Sequence, residues 1–248
     1  MVKILDSIIQ AKAEGKKLLA LLIDPDSIQN EDQVMDVVNK AESTSIDYIL
    51  FGGSLITKTE EFDSLKMIKE ITKIPVVLFP SSPAQIRTEA DAILFLSLLS
   101  GRNPEYLIGH HVAAAPILKN SNLEILPTGY LLIGCGRPTT AEYVSGTQPI
   151  PYHKPDIAAA TAMAGEMLGL KLIYLDGGSG ADKAVSAEMI AQVRKSTDLP
   201  LIVGGGIRSG KAATNAFEAG ADMIVVGNAA EDNPDLIQEL SLTKGQPK

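Results

Sequence analysis

Two apolar runs late in the chain, each closing on glycine, constrain its fold more than any other feature. The first is Leu201-Ile202-Val203 followed by Gly204-Gly205-Gly206; the second is Met223-Ile224-Val225-Val226 followed by Gly227-Asn228. Residues 211–219 between them follow a helical period. Runs of strand length separated by one helix make a parallel strand–helix–strand unit, and both glycine turns then open on the same edge of the sheet. With no Cβ to hold a ligand away, backbone N–H groups at such turns can close on a phosphate. In a (β/α)8 barrel the phosphate site is built in this way, from the turns after strands 7 and 8. Tight turns that hold no ligand are the alternative.

Counting strands back from that pair predicts an α/β fold, a (β/α)8 TIM barrel. Apolar runs bounded by turn residues occur at 18–23, 47–51, 75–79, 91–96, 131–133, 171–175, 201–203 and 223–226. Helix-period stretches such as 31–41, 60–73 and 186–196 follow most of them. A chain of 248 residues has the usual length of one such barrel. No linker, charge block or low-complexity segment interrupts it, so residues 1–248 are expected to form a single domain. Ile4, Leu5, Ile8 and Ile9 give an opening helix an apolar face, expected to plug the bottom of the barrel.

Two spacings depart from regular alternation. Only residues 81–90, with Pro83 among them, separate the third run from the fourth. A parallel crossover normally needs a dozen residues or more, so the third helix is expected to be short or missing, leaving a groove in the wall. Residues 134–155, by contrast, form a long stretch rich in Gly and Pro after the fifth strand. Loops of that length are usually functional or lie at a contact surface, and Tyr143 and Tyr152 within it are candidates for a subunit contact.

Charge and cysteine content narrow the function classes. The net charge of −8 repels nucleic acid, anionic membranes and phosphorylated ligands alike. A bound phosphate must therefore be held by local amides, helped by a metal ion. Cys135 is the only cysteine, which excludes an internal disulfide and disfavours a cysteine zinc cluster. The start of the chain lacks a signal-peptide pattern and no apolar run approaches membrane-spanning length, so a cytoplasmic protein is expected.

Candidate chemistry lies at the C-terminal ends of the strands. Asp24, in Leu22-Ile23-Asp24-Pro25-Asp26, points to the catalytic face, where Mg2+ would link it to phosphate oxygens. Asp26 either shares that role or caps a helix. In Phe51-Gly52-Gly53-Ser54 the glycines permit close approach and the Ser54 hydroxyl can complete a hard-oxygen shell. Tyr174-Leu175-Asp176-Gly177-Gly178-Ser179-Gly180 places a carboxylate before glycines and a serine, suited to a base beside a substrate hydroxyl. Arg102 is either a clamp for a second phosphate or part of a surface ion pair, and Arg208 reaches the phosphate or pairs with an acid at the rim. His110 and His111, adjacent on a helix, point in different directions and are poor candidates for a chelating pair. Phe79, Phe95, Leu98 and Tyr106 are candidate walls of an apolar trench.

Taken together, these motifs, with Phe79-Pro80, Val203 through Arg208 and Val226-Gly227-Asn228, resemble the geranylgeranylglyceryl phosphate synthases, from about residue 18 to residue 228. Residues 102–104 and 109–116 look like the branch shared by archaea and some bacteria. Leu22 stands where the heptaprenylglyceryl phosphate branch carries a lysine. The resemblance implies an Mg2+-dependent prenyltransferase that joins the C3 hydroxyl of sn-glycerol 1-phosphate to a C20 polyprenyl diphosphate, forming an ether and releasing diphosphate. It implies that Asp24 and Ser54 hold Mg2+, that Tyr174, Leu175, Asp176, Gly177, Gly178, Ser179 and Gly180 bind the glycerol phosphate, and that Gly204, Gly205, Gly227 and Asn228 cradle its phosphate. Asp176 and Tyr174 become the catalytic pair, although the family more often carries Glu at the position of Asp176. A homo-oligomer, dimer or hexamer, is implied, as is transient contact with a membrane surface for the lipid product. The rivals are a heptaprenylglyceryl phosphate synthase, a phosphate-sugar isomerase or lyase on the same barrel, and a non-catalytic isoprenoid-binding protein.

Overall fold

The computed structural model describes residues 3–57, 62–227 and 235–244. Eight parallel strands close into a barrel: β1 (Leu18–Ile23), β2 (Tyr48–Phe51), β3 (Val76–Leu78), β4 (Ala92–Leu98), β5 (Glu124–Gly134), β7 (Leu172–Asp176), β8 (Leu201–Gly204) and β9 (Met223–Val226). Closure comes from β4 pairing with β5 and β9 with β1. The two-residue β6 (Ile150–Pro151) extends the end of β5 outside the ring. Around it lie α2 (Glu31–Ser43), α3 (Ser64–Ile71), α4 (His110–Lys119), α5 (Thr140–Ser145), α6 (Pro155–Met167), α7 (Ala187–Arg194), α8 (Gly210–Glu218) and α9 (Asp235–Thr243).

The apolar runs are unbroken because both faces of each strand are buried. Along β1, Leu18 and Ala20 point into the barrel with Leu50, Leu126, Tyr174 and Val225. Leu19, Leu21 and Ile23 point out against Val34, Val38 and the other helix residues. Alternation with period two thus fills two layers from one sequence run.

Between β3 and β4 there is only a single 3-10 turn, Pro83–Gln85, so the third helix is reduced as the spacing predicts. The fifth strand differs from expectation. It begins at Glu124, not Leu131, because Pro127 and Gly129 read as turn residues yet sit within the ladder, opposite Phe95 and Ser97. The Pro127 carbonyl still accepts from Lys171 N at 2.8 Å, so the strand forfeits only one donor.

The opening helix, α1 (Ile4–Ala13), does close the bottom: Ile4, Ile8 and Ala11 join the barrel interior. Ile9, counted on its apolar face, is instead 43% exposed. Lys3 offers this helix no side-chain cap. Its cap is tertiary: the Glu124 carboxylate accepts from Ile4 N (2.6 Å) and Leu5 N (3.0 Å). Three aspartates stitch the same end, Asp47 to Leu19 N, Asp91 to Val76 N and Asp222 to Leu201 N, at 2.8, 2.8 and 2.9 Å. The bottom is therefore packed and hydrogen-bonded, which leaves the opposite rim for chemistry. No helix among the described residues is long and apolar enough to cross a membrane.

Candidate active site

Two cavities open at the C-terminal rim and meet at one carboxylate. The first is an apolar trench running through the gap left by the reduced third helix. Pro83, Ile86, Ile93 and Phe95 line its outer part, and Phe79, Leu96, Leu98 and Tyr130 its barrel side. The four residues expected as trench walls, Phe79, Phe95, Leu98 and Tyr106, all line it. The long stretch after β5 roofs it: α5 contributes Thr140, Ala141, Val144 and Ser145. Asn103 Nδ2 donates to the Ser145 carbonyl at 2.7 Å, and so ties that roof to the end of β4.

A π-helical turn at Glu105–Gly109 leads into α4. Such turns favour functional sites because the extra residue re-aims side chains. Here His110 packs on Tyr106 (4.7 Å between ring centroids) and His111 edge-on to Phe95 (4.5 Å), and both imidazoles line the trench. They remain on different neighbours, as expected of adjacent helical residues, and form no chelating pair. His111 Nε2 shares a hydrogen bond with Ser97 Oγ at 3.1 Å. Burial, reinforced by His110, holds the His111 pKa below its usual value, so it is neutral at physiological pH.

At the trench mouth stand Asp24 and Ser54, with Gly52 and Gly53. A Cβ on Gly53 would lie 2.8 Å from Asp24 Oδ2, so only glycine lets the β2 turn lie against this carboxylate. Asp24 Oδ1 also accepts from Asp26 N at 3.0 Å, heading the 3-10 turn Pro25–Ser27. Asp26 caps no α-helix, since Asn30 caps α2; its carboxylate instead accepts from Thr57 N and Oγ1, both at 2.8 Å. Among the described residues no group of three or more His, Cys, Asp or Glu is placed to hold a metal ion.

The second cavity is polar and walled by main chain. Tyr174, Gly178, Ser179 and Gly180 line one side, and Gly205, Gly206 and Gly227 another. Gly205 and Gly206 have φ of +77° and +71°, a left-handed backbone that glycine adopts readily, and their lack of a Cβ leaves main chain to wall the cavity. Arg208 lines this cavity and donates to the Ala181 carbonyl at 2.8 Å; it makes no ion pair among the described residues. Leu22, Asp176 and Ser179 line both cavities.

Asp176 is buried at that junction, only 7% exposed. Tyr130 Oη donates to its Oδ2 at 2.6 Å and Gly178 N to its Oδ1 at 2.7 Å. Burial pushes the carboxyl above its ordinary pKa, and the two hydrogen bonds oppose the rise. Phe79, Tyr130 and Tyr174 pack around it, with Phe79 stacked on Tyr174 at 5.4 Å. Both tyrosines are pushed well above their usual pKa, chiefly by burial, so they stay protonated donors. The sequence does not single out Tyr130, because Pro127 and Gly129 read as turn residues and put the start of the fifth strand at Leu131. An inward period-two pattern with Leu126 and Leu132 is the signal that finds it.

Several expected ligand-binding residues lie elsewhere. Leu175 is fully buried in the outer layer between barrel and helices, so its side chain reaches neither cavity. Gly177 packs on Cys135 and Ala181, and its N–H donates to the Gly204 carbonyl at 3.0 Å. The Cβ position of Gly204 is filled by the Tyr174 hydroxyl, so this glycine makes room for a side chain and does not itself line the cavity. Arg102 lies outside both cavities and donates to the Gly101 and Leu99 carbonyls (2.7 and 3.2 Å), with no ion pair among the described residues. Asn228 falls outside the described residues. Tyr152, considered for a subunit contact, is half-buried with its ring under the Lys183 ammonium at 3.4 Å.

Known proteins match this chain over nearly its whole length. Residues 11–244 match the model of the PcrB family. A geranylgeranylglyceryl phosphate synthase of Spirosoma linguale is 53% identical over 230 residues, covering 93% of this chain and 92% of that protein. The enzyme of the same name from Thermococcus gammatolerans is 46% identical over 224 residues, 90% of this chain and 88% of the other. The crystal structure of (S)-3-O-geranylgeranylglyceryl phosphate synthase from Thermoplasma acidophilum, in complex with its substrate sn-glycerol-1-phosphate, superimposes with a TM-score of 0.89. It is 33% identical and covers 97% of this chain and 96% of its own.

Proposed function

The chain belongs to the PcrB family and is a prenyltransferase of the geranylgeranylglyceryl phosphate synthase kind, and from that premise we propose a division of labour between its cavities. The glycine-walled cavity takes sn-glycerol 1-phosphate, the compound bound to the Thermoplasma acidophilum relative. The trench takes the C20 tail of geranylgeranyl diphosphate, its diphosphate at the mouth beside Asp24 and Ser54. One observation carries this reading: Asp176 lines both cavities, where the glycerol hydroxyl and the allylic carbon have to meet.

In the reaction the C3 hydroxyl oxygen bonds to the allylic carbon while the carbon–oxygen bond to diphosphate breaks, and diphosphate leaves with the electron pair. The carboxylate of Asp176 accepts the hydroxyl proton, a general-base effect of roughly 10²–10⁴-fold. Burial strengthens it as a base, and the Tyr130 hydroxyl opposes the rise in pKa by stabilising the ionised form. Tyr174, whose hydroxyl makes no hydrogen bond among the described residues, is a donor to the small substrate. Main-chain donors at Gly205, Gly206 and Gly227 hold its phosphate by charge-assisted hydrogen bonds of roughly 1.5–3 kcal/mol each. Apolar walls keep water from the cation-like carbon.

The donors at the mouth suit Mg2+. One carboxylate and one hydroxyl leave most of a coordination shell to diphosphate oxygens and water, the mode this ion favours. Asp24 and Ser54 would hold it, and the ion would offset charge building on the leaving group. Self-association is also proposed, with Tyr143, 88% exposed on α5, as a contact, and its check is the mass of the protein in solution. Ile108 and Val112, 59% and 66% exposed on the segment carrying Tyr106 and the histidines, are where product transfer would touch a membrane surface.

The test supplies labelled sn-glycerol 1-phosphate with geranylgeranyl diphosphate and Mg2+. The expected result is an organic-extractable phosphate ether, lost on chelation and in Asp24→Asn. A folded protein that yields no such product rejects the assignment, and full activity of Asp24→Asn rejects the metal site.

A further inference from the structure

The polar cavity holds two cationic side chains in a chain whose net charge is −8. Arg208 follows the β8 turn. Arg137 comes from a separate element, the loop between β5 and α5, and neither the glycine motifs nor the strand-end carboxylates lead to it.

The local chain holds Arg137 in place before any ligand arrives. Gly136 has φ of +120°, and a Cβ there would run into the Asp182 carboxylate. The turn it makes lets Arg137 N donate to Asp182 Oδ2 at 2.9 Å. In return, Asp182 N and Lys183 N donate to the Cys135 carbonyl at 3.1 and 3.3 Å. The loops after β5 and β7 are thereby stapled together along the cavity. Arg137 Nε donates to the Gly180 carbonyl at 2.9 Å and lies 3.6 Å from Asp182 Oδ1. Its two Nη groups make no hydrogen bond among the described residues, and Nη2 lies 3.5 Å from the Cβ position of cavity-lining Gly180. An ordered guanidinium with unused donors on a glycine-walled cavity is a preorganised anion clamp, and pre-ordering reduces the entropy lost on binding.

We infer that Arg137 is a substrate-binding residue that grips the phosphate of the small substrate from the β5–α5 loop, adding the formal charge that the main-chain donors lack. This rests on the glycine-walled cavity being the glycerol phosphate site. Its charge makes affinity dependent on salt. It also favours the phosphate dianion, which forms above a pKa of about 6.

The test compares wild-type protein with Arg137→Gln, Arg137→Lys and Asp182→Asn, varying sn-glycerol 1-phosphate at saturating geranylgeranyl diphosphate. Arg137→Gln is expected to raise KM for glycerol phosphate roughly tenfold or more, the loss of one charge-assisted hydrogen bond. It should leave KM for the diphosphate unchanged and flatten the dependence of the glycerol phosphate KM on salt and on pH. Arg137→Lys recovers part of the loss; Asp182→Asn, which loosens the staple but keeps the guanidinium, retains the salt and pH dependence. Wild-type KM in Arg137→Gln overturns the inference. So does an equal rise in Arg137→Gln and Asp182→Asn with the salt and pH profiles untouched, because that assigns Arg137 to loop structure alone. A wild-type protein that does not bind sn-glycerol 1-phosphate overturns the cavity assignment beneath it, and the inference with it.

Discussion

Whether Asp176 is ionised depends on two opposed effects. Burial favours the neutral acid, while Tyr130 Oη and Gly178 N stabilise the carboxylate. The net direction is upward, so activity that needs the carboxylate falls off on the acid side at a pH above the ordinary carboxylate range. Tyr130→Phe removes one of the two opposing hydrogen bonds and raises the pKa further. The acid limb of the kcat–pH profile is therefore expected to move to higher pH, with about tenfold less activity on that limb and a smaller change on the plateau. A profile that stays in place, or moves to lower pH, removes Tyr130 from control of the base. The same sign governs stability: a raised carboxyl pKa contributes stability below the unfolded value and loses it as pH rises through the folded one. The ionised form thus opposes folding at neutral pH, and Asp176→Asn, whose amide oxygen can accept from Gly178 N while its amide nitrogen donates to a turned Tyr130 hydroxyl, is expected to melt no lower than wild type there.

The elements divide by end, with stability at the bottom of the barrel and chemistry at the top. Glu124 accepts from two N–H groups at the start of α1, a helix with no cap of its own. Glu124→Ala leaves those donors without an acceptor and removes a carboxylate from a helix N-terminus, and is expected to cost about 1–3 kcal/mol of unfolding free energy. Denaturant melts measure this, and activity per folded molecule should be unchanged; a normal melt would mean that α1 docks by apolar contact alone. Much of this division is legible in the sequence. Buried parallel strands read as unbroken apolar runs, and the ten residues between the third and fourth of them leave no length for a helix, hence the groove. Regular spacing was not enough for β5, where Pro127 and Gly129 imitate a turn inside a strand held by both neighbours. That misreading hid Tyr130. In the same way, glycine in a motif says that space is needed but not for what: Gly205 lines a cavity, whereas Gly204 makes way for Tyr174. Leu175 shows the limit from the other side, since every second residue of a barrel strand faces away from the site.

Across the whole molecule, the fold brings together two cavities of opposite character that no single stretch of chain could form. Strands β7, β8 and β9 with their turns supply the polar one; β3, β4, α4 and the stretch after β5 supply the apolar one. In the proposed division of labour, an acidic chain binds two anionic substrates because local amides, two arginines and the metal proposed at the mouth outweigh a long-range field screened within about 10 Å at ordinary salt. In the proposed reaction the carboxylate between the cavities takes the proton that bond formation releases. The most direct measurement is the single-turnover rate of prenyl transfer with both substrates saturating, in wild type and in Asp176→Asn, alongside glycerol phosphate binding by each. A rate lower by roughly 10²–10⁴-fold with binding largely retained is the predicted result; a rate within a few-fold of wild type would contradict the role given to Asp176.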